Sequence, residues 1–348
     1  MNGLSKLGMT AAAVAGGAAL LRALRNASVD YDFQDRVAIV TGGTRGLGLL
    51  LSHELLRRGA RVAVLGRDLE ELERGVSELT REGGEAIGVP CDIRQRDQAQ
   101  WAIEHVLARL GPVDVLINNA GIIEVGPIDH MSEADFQDAM AIHCWAPFYT
   151  MQAVIPSMRA RGEGRIVNIS SIGGKIAFPH LAPYTASKFA LSGLSEAMRT
   201  ELAKDGIYVT TVYPGLMRTG SHLNAMFKGR NREEFAWFAM FDALPITSIN
   251  ATRAARQIIN ACRRGDPQLI VSIQAKLAIL LHDLMPNTSI RLMDFIDRVL
   301  PLPSPEHGQE LYSGWESSSK WAPSLLTRLA DHATAANNEL RGHNPVSK

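Results

Sequence analysis

Tyr184 and Lys188 stand four residues apart in Tyr184-Thr185-Ala186-Ser187-Lys188, and Ser171 lies 13 residues before the tyrosine. On a helix the tyrosine and lysine share a face. A phenol titrates at about 10 in water, and an ammonium within reach favours its ionised form. Such a pair can pass a proton to or from a substrate oxygen, while the Ser171 hydroxyl bonds the same oxygen as charge gathers on it. The plainer reading is a tyrosine and a lysine on a solvent-facing helix, and Ser171 upstream argues against it.

A second cluster, Thr41-Gly42-Gly43-Thr44-Arg45-Gly46-Leu47-Gly48, follows an apolar run and opens a predicted helix. Glycines at 42, 46 and 48 allow a tight turn, the approach of a pyrophosphate to backbone N–H groups, and close packing of the helix whose N-terminus faces the phosphates. Any tight strand-to-helix turn can use glycine. Here the strand before and the helix after favour a dinucleotide site, with Gly42, Thr44, Arg45, Gly46, Leu47 and Gly48 facing the ligand.

These groups need a frame to hold them. Residues 36–272 alternate helical stretches with short β-branched runs: VAIVTG, RVAVLG, AIGVP, VDVLIN, RIVNIS, IYVTTVYP and QLIVS. Apolar at nearly every position, the runs read as strands buried on both faces of a parallel sheet. The expected fold is α/β, a doubly wound, seven-stranded parallel Rossmann sheet with helices on both faces, spanning residues 31–272.

The flanking segments differ in kind. Residues 1–30 form an apolar leader whose uncharged stretch, Leu7 to Leu21, lies between Lys6 and Arg22. As a helix it would be about 22 Å long, short of the roughly 30 Å hydrocarbon core of a bilayer. A membrane span, a helix resting on a membrane surface and a helix packed on the protein all stay open, while a cleaved secretory signal is disfavoured. Residues 273–348 read as a helical extension, with AKLAILLHDLMP and TSIRLMDFIDRVLP apolar at helical spacing and each stopped by proline. Beyond Pro303 the composition predicts a loosely packed tail with one helix near Leu325 to Leu340.

Composition narrows the partners. With 46% hydrophobic and 21% charged residues in 348, the chain can bury a core, which excludes wholesale disorder. The 36 basic residues are matched by 36 acidic ones, so no basic surplus points to nucleic acid. Cys91, Cys144 and Cys262 form no CxxC and no Cys/His cluster. That argues against a disulfide scaffold or structural metal and fits a reducing, cytoplasmic compartment, with membrane association through the leader as the alternative.

The glycine spacing TGxxxGxG is joined by Asp92 after the third strand and Asn118-Asn119-Ala120-Gly121 after the fourth. Ser171 follows the fifth, then the Tyr184 to Lys188 segment, then Pro214-Gly215 and Thr219 after the sixth. The set resembles the classical type of the short-chain dehydrogenase/reductase family over roughly 36–272, and the 13-residue spacing is the family's own. The resemblance implies an oxidoreductase that interconverts a carbonyl and an alcohol by hydride transfer with a nicotinamide cofactor. It implies Tyr184 as general acid and base, Ser171 as donor to the substrate oxygen, and Lys188 on the nicotinamide ribose. It further implies Asp92 on the adenine, Asn119 near the ribose and Thr219 on the carboxamide. One position departs from the pattern. His143 stands where the family usually carries an asparagine that holds a water linking the lysine to solvent. A histidine there either relays protons itself or packs within a bent helix.

The choice of cofactor turns on the end of the second strand. An acid reading the ribose hydroxyls would fall near Gly66, which has no carboxylate, while Arg67 follows and Arg45 lies in the glycine loop. NADP(H) is therefore expected over NAD(H), with Asp68 capping the next helix. After Thr219 comes an aromatic stretch with Met226, Phe227, Phe235, Trp237, Phe238, Met240 and Phe241. It either packs a lid or oligomer contact, or lines a pocket for an apolar, lipid- or steroid-like carbonyl or alcohol. The rival from another class is a noncatalytic NADP(H)-binding sensor or scaffold.

Overall fold

The computed structural model describes residues 30–81, 83–218, 220–243, 248–304 and 308–318; the leader, Thr219 and the stretch Leu325 to Leu340 lie outside the described residues. Seven strands form one sheet: β1 Val37–Thr41, β2 Arg61–Gly66, β3 Ala86–Pro90, β4 Val113–Asn118, β5 Gly164–Ile169, β6 Ile207–Tyr213 and β7 Gln268–Ile270. Their order is β7-β6-β5-β4-β1-β2-β3, parallel throughout. The chain winds outward from β1 to β3, then returns to β4 on the other side of β1. At that reversal the loops leaving β1 and β4 diverge and open a crevice at the carboxyl ends of the strands.

Helices cover both faces: α1 Gly46–Leu56, α2 Leu69–Thr80, α3 Arg96–Leu110, α4 Glu133–Met140, α5 Ala146–Arg161, α6 Ala182–Leu202, α7 Asn231–Ala243 and α8 Ala251–Arg264. Successive strand residues point to opposite faces. Thus Ala38 and Val40 pack with Leu49 and Leu51 of α1 and with Ile258 and Ile259 of α8. Val37 and Ile39 pack instead with Ile103 and Val106 of α3 and with Met151 and Val154 of α5. Two buried faces are the reason the strands are apolar at consecutive positions.

Local signals fix the entry to the helices that shape the crevice. Asp68 caps α2 as expected, its carboxylate accepting from the Glu71 N–H at 2.9 Å. Between α4 and α5 the chain widens into a π-turn over Ala141–Trp145, where the Ala146 N–H reaches the Ala141 carbonyl. Pro147 has no N–H to offer the His143 carbonyl four residues back, which removes one α-helical bond at the place where the turn widens.

Past β7 the chain forms α9 Ile273–Leu284, capped by Ser272, and α10 Pro286–Asp297. The composition after Pro303 predicted a loose tail, and residues 308–318 correct that. Tyr312–Ser313 pairs antiparallel with Met226–Phe227, which pairs in parallel with Glu124–Val125. Trp315 anchors this return by packing on the cluster of Val125, Leu223, Phe227, Phe235 and Phe238. Among the described residues no helix is long and apolar enough to cross a membrane.

Candidate active site

A cleft of about 1460 Å³ opens at the carboxyl ends of β1 and β4. Its floor is the glycine loop. Gly42 sits at φ +61°, and a Cβ on Gly48 would lie 1.9 Å from the Gly42 carbonyl oxygen. Arg45, at the N-cap of α1, makes no side-chain cap, which leaves the N–H groups of the first turn to a ligand in the cleft. Asn119 fastens the loop after β4 to this turn: its Nδ2 donates to the carbonyls of Thr41 and Gly42, each at 3.1 Å. The N–H groups of Asn119 and Ala120 both donate to Thr41 Oγ1. A backbone cradle at a helix N-terminus, with no room for a side chain, fits a dinucleotide pyrophosphate.

Arg45, Arg67, Asp68 and Asp92 line the far end of the cleft together with Glu71, which the sequence did not single out. Glu71 accepts from the Thr44 hydroxyl and lies 3.5 Å from the Arg45 guanidinium, which also donates to Asn224 Oδ1 at 3.0 Å. Arg67 is exposed at the tip of β2. The Asp92 carboxylate sits in the fork of Arg94, whose hydrogen bonds hold its pKa below the ordinary carboxylate range.

At the other end, β5 delivers Ser171 and α6 delivers Tyr184 and Lys188 to one wall. The Ser171 hydroxyl accepts from the Gly173 N–H at 3.0 Å and stands beside the Tyr184 ring, both meeting at Gly173. Loss of water around the phenol pushes its pKa up, and Ser171 pulls the other way. Lys188 donates to the Ile169 carbonyl at 2.9 Å, and burial pushes its ammonium down to about 7. A group with a midpoint near neutrality can hold or release a proton over the physiological range, which suits the end of a proton path.

His143 is 1% exposed and lies edge-on to the Tyr184 ring, centroids 5.4 Å apart. Its Nε2 accepts from the Ile122 N–H at 3.2 Å, so the proton sits on Nδ1, which donates to Ser187 Oγ at 2.8 Å. Ser187 in turn donates to the Tyr184 carbonyl. Burial and then the nearby Lys188 hold the ring's pKa well below its usual value, so it stays neutral. With both nitrogens engaged, the ring braces the loop after β4 against the first turns of α6. His143→Ala is expected to lower turnover by about tenfold, on the order of one buried hydrogen bond lost, whereas His143→Asn retains most of it. An unchanged pH profile in the alanine variant would mark positioning, a displaced one a relay; full activity would leave the ring with packing alone.

The aromatic stretch divides between the two roles the sequence left open. Phe227 and Phe235 are buried in the satellite cluster, Phe238 of α7 belongs to that cluster and also reaches the cleft, and Trp237 and Phe241 line the cleft. The extension contributes too, through Ala278 of α9, Ile296 of α10 and Leu300. A buried pair ties α7 down: His180 Nδ1 contacts the Glu234 carboxylate at 2.8 Å, and Trp237 Nε1 donates to the same carboxylate at 2.7 Å. His180 and Glu234 are 54 residues apart, and their types at that separation give no sequence signal.

The geometry meets an independent comparison. The short chain dehydrogenase family profile matches residues 36–227. Gluconate 5-dehydrogenase of Gluconobacter oxydans (strain 621H) is 38% identical over 182 residues, 52% of this chain and 71% of that protein. Dehydrogenase/reductase SDR family member 7B of Danio rerio is 30% identical over 294 residues, 82% of this chain and 94% of that protein, so the likeness extends past the profile. Among solved structures, a variant actinorhodin polyketide ketoreductase with NADPH superposes with a TM-score of 0.61 at 32% identity, covering 68% of this chain and 94% of its own. A metagenomic short-chain oxidoreductase in complex with NADP reaches 0.51 at 37% identity, covering 54% and 86%. Profile, full-length relative and superposed fold agree with the spacing of the glycine turn and of Ser171, Tyr184 and Lys188, and on that agreement the chain belongs to the short-chain dehydrogenase/reductase family of oxidoreductases.

Proposed function

We propose that the protein is an NADP(H)-dependent oxidoreductase interconverting a carbonyl and an alcohol on an apolar substrate, with Tyr184 as general acid in reduction and general base in oxidation. The observation that carries this is the convergence of Ser171, Tyr184 and Lys188 on one wall of a cleft whose floor is the glycine cradle. The bound cofactor supplies or accepts the hydride. Ser171 holds the substrate oxygen beside the phenol, Tyr184 moves the proton at its hydroxyl, and Lys188, beneath the ring, biases the phenol and hands the proton onward. Trp237, Phe238, Phe241 and Ile296 exclude water and offer an apolar surface, which supports a hydrophobic rather than a sugar-like substrate. The sensor or scaffold reading needs none of the three polar groups at the substrate end.

Preference for NADP(H) rests on Arg67 at the tip of β2, on Gly66 beside it, and on Asp68 being spent on the cap of α2. The solved relatives with NADPH and NADP support the same cofactor. Steady-state turnover of a panel of apolar ketones should be faster with NADPH than with NADH. Arg67→Asp should cut that preference by about tenfold or more, the worth of one charge-assisted hydrogen bond. No turnover with any ketone or alcohol, alongside tight NADPH binding, would favour the sensor. A preference for NADH in the unmodified protein would make Glu71 or Asp68 the reader of the ribose.

A further inference from the structure

We propose that α9 is a self-association surface, pairing antiparallel with α9 of a second copy of this chain. Its inner side buries Ala275 and Ile279 against the body. On the opposite side Ile273, Leu277, Leu280, Leu281 and Leu284 are between 52% and 73% exposed. At 100° per residue these five fall in one stripe, and positions 273, 277, 280 and 284 have the 4-3-4 spacing of a helix-packing seam. On α10 Leu292 and Phe295, and just past its end Val299 and Leu302, are exposed as well. These nine large apolar side chains, all exposed between Ile273 and Leu302, are more than the singly scattered ones of an ordinary monomer surface and suit the apolar centre of an interface.

Charge complementarity selects a second copy as the occupant. Lys276 and Asp283 flank the stripe on the same side, one heptad apart, and both are exposed. A two-fold axis through the middle of α9 sets Leu277 of one copy against Leu280 of the other and Ile273 against Leu284. The same operation sets Lys276 of each copy level with Leu281 of the other, about 3 Å along the axis from Asp283 and within reach of the lysine side chain, twice over, so the surface is complementary to itself. With Arg291, Asp294, Asp297 and Arg298 counted beside Lys276 and Asp283, the face carries three exposed cations and three exposed anions and so has no net attraction for anionic headgroups, which disfavours a lipid surface. Since Ala275 and Ala278 of α9 also wall the cleft, pairing would brace that wall from behind.

The test is sedimentation of the full chain over a range of concentrations. Lys276→Asp or Asp283→Lys alone sets like charges across the seam at two places and should raise the dimer Kd by about tenfold or more. The two reversals together should restore it. Each reversal puts an acid nearer the helix N-terminus or a base nearer its C-terminus, which favours α9 itself, so lost pairing cannot come from fraying. NADPH binding, measured on the same samples, reports that the variants are folded. A monomer at every concentration, single reversals without effect, or a double reversal that fails to restore pairing would each overturn the proposal. So would an unmodified monomer that floats with phosphatidylcholine vesicles and loses flotation in Leu280→Glu, which would assign the stripe to lipid.

Discussion

Tyr184→Phe is expected to lower turnover by at least about a hundredfold while NADPH affinity stays within a factor of about two, because only a proton donor is removed. The substitution deletes one oxygen and keeps the ring. Phenylalanine still meets His143 edge-on and still packs on Gly173, whose Cβ position lies 3.1 Å from the tyrosine ring. Ser171 keeps its bond from the Gly173 N–H, and Lys188 keeps its bond to Ile169. What is lost is the phenol hydroxyl that shares the cleft wall with Ser171 and Lys188, and with it the proposed proton donor. Turnover with a responsive ketone, set beside cofactor-fluorescence titration, checks both halves. Comparable turnover in the variant would remove Tyr184 from the mechanism.

The second large effect is expected at the other end of the cleft, where Gly48→Ala should weaken NADPH binding by about a hundredfold, the loss of two or three backbone hydrogen bonds to phosphate. The added methyl would sit 1.9 Å from the Gly42 carbonyl oxygen and 2.6 Å from Asn119 Nδ2. Neither contact can be relieved by turning a flexible side chain, since one is backbone and the other is the amide that fastens the two loops together. The turn must open, and the first-turn N–H groups of α1 move off the ligand. Gly193→Ala on α6 is the control. Its Cβ meets nothing within 4 Å, so it should leave binding unchanged and gain up to about 1 kcal/mol of stability from helix propensity. Fluorescence titration and thermal unfolding of the two variants make the comparison, and unchanged affinity in Gly48→Ala would show that the cradle is not where the dinucleotide rests.

The parts of this molecule that sequence made legible are those decided by local chemistry. All seven strands of the sheet stand where consecutive apolar, β-branched runs put them; in the five inner strands burial on both faces leaves little polar to blur the pattern, while the edge strands β3 and β7 are only partly covered. Asp68 announced its cap, and the prolines at 286 and 301 bracket α10. The rest depends on contacts between distant segments. Nothing in the neighbourhood of His143 says that Ile122 and Ser187 will occupy its two nitrogens, because those partners arrive 21 and 44 residues away in sequence. Glu71 reads as an ordinary first-turn acid of α2 until Thr44 and Arg45 are folded against it. Trp315 carried the one local hint that the segment after Pro303 would return to the body, and a serine- and glycine-rich setting masked it.

The small three-stranded sheet that joins Glu124–Val125, Met226–Phe227 and Tyr312–Ser313 bears on the order in which the protein is completed during synthesis. Folding on the ribosome proceeds from the N-terminal side, and strands can pair only after they have emerged. Every strand of the large sheet, and with it the cradle for the dinucleotide, precedes Val271, some forty residues before Tyr312 is made. The nascent chain can therefore hold its cofactor while the strand that pins Met226–Phe227 is still missing, and a bound dinucleotide adds its own stability to the half-finished sheet. The glycine-loop end of the cleft can thus be complete before the strand that secures Met226–Phe227, beside its other end, has been made.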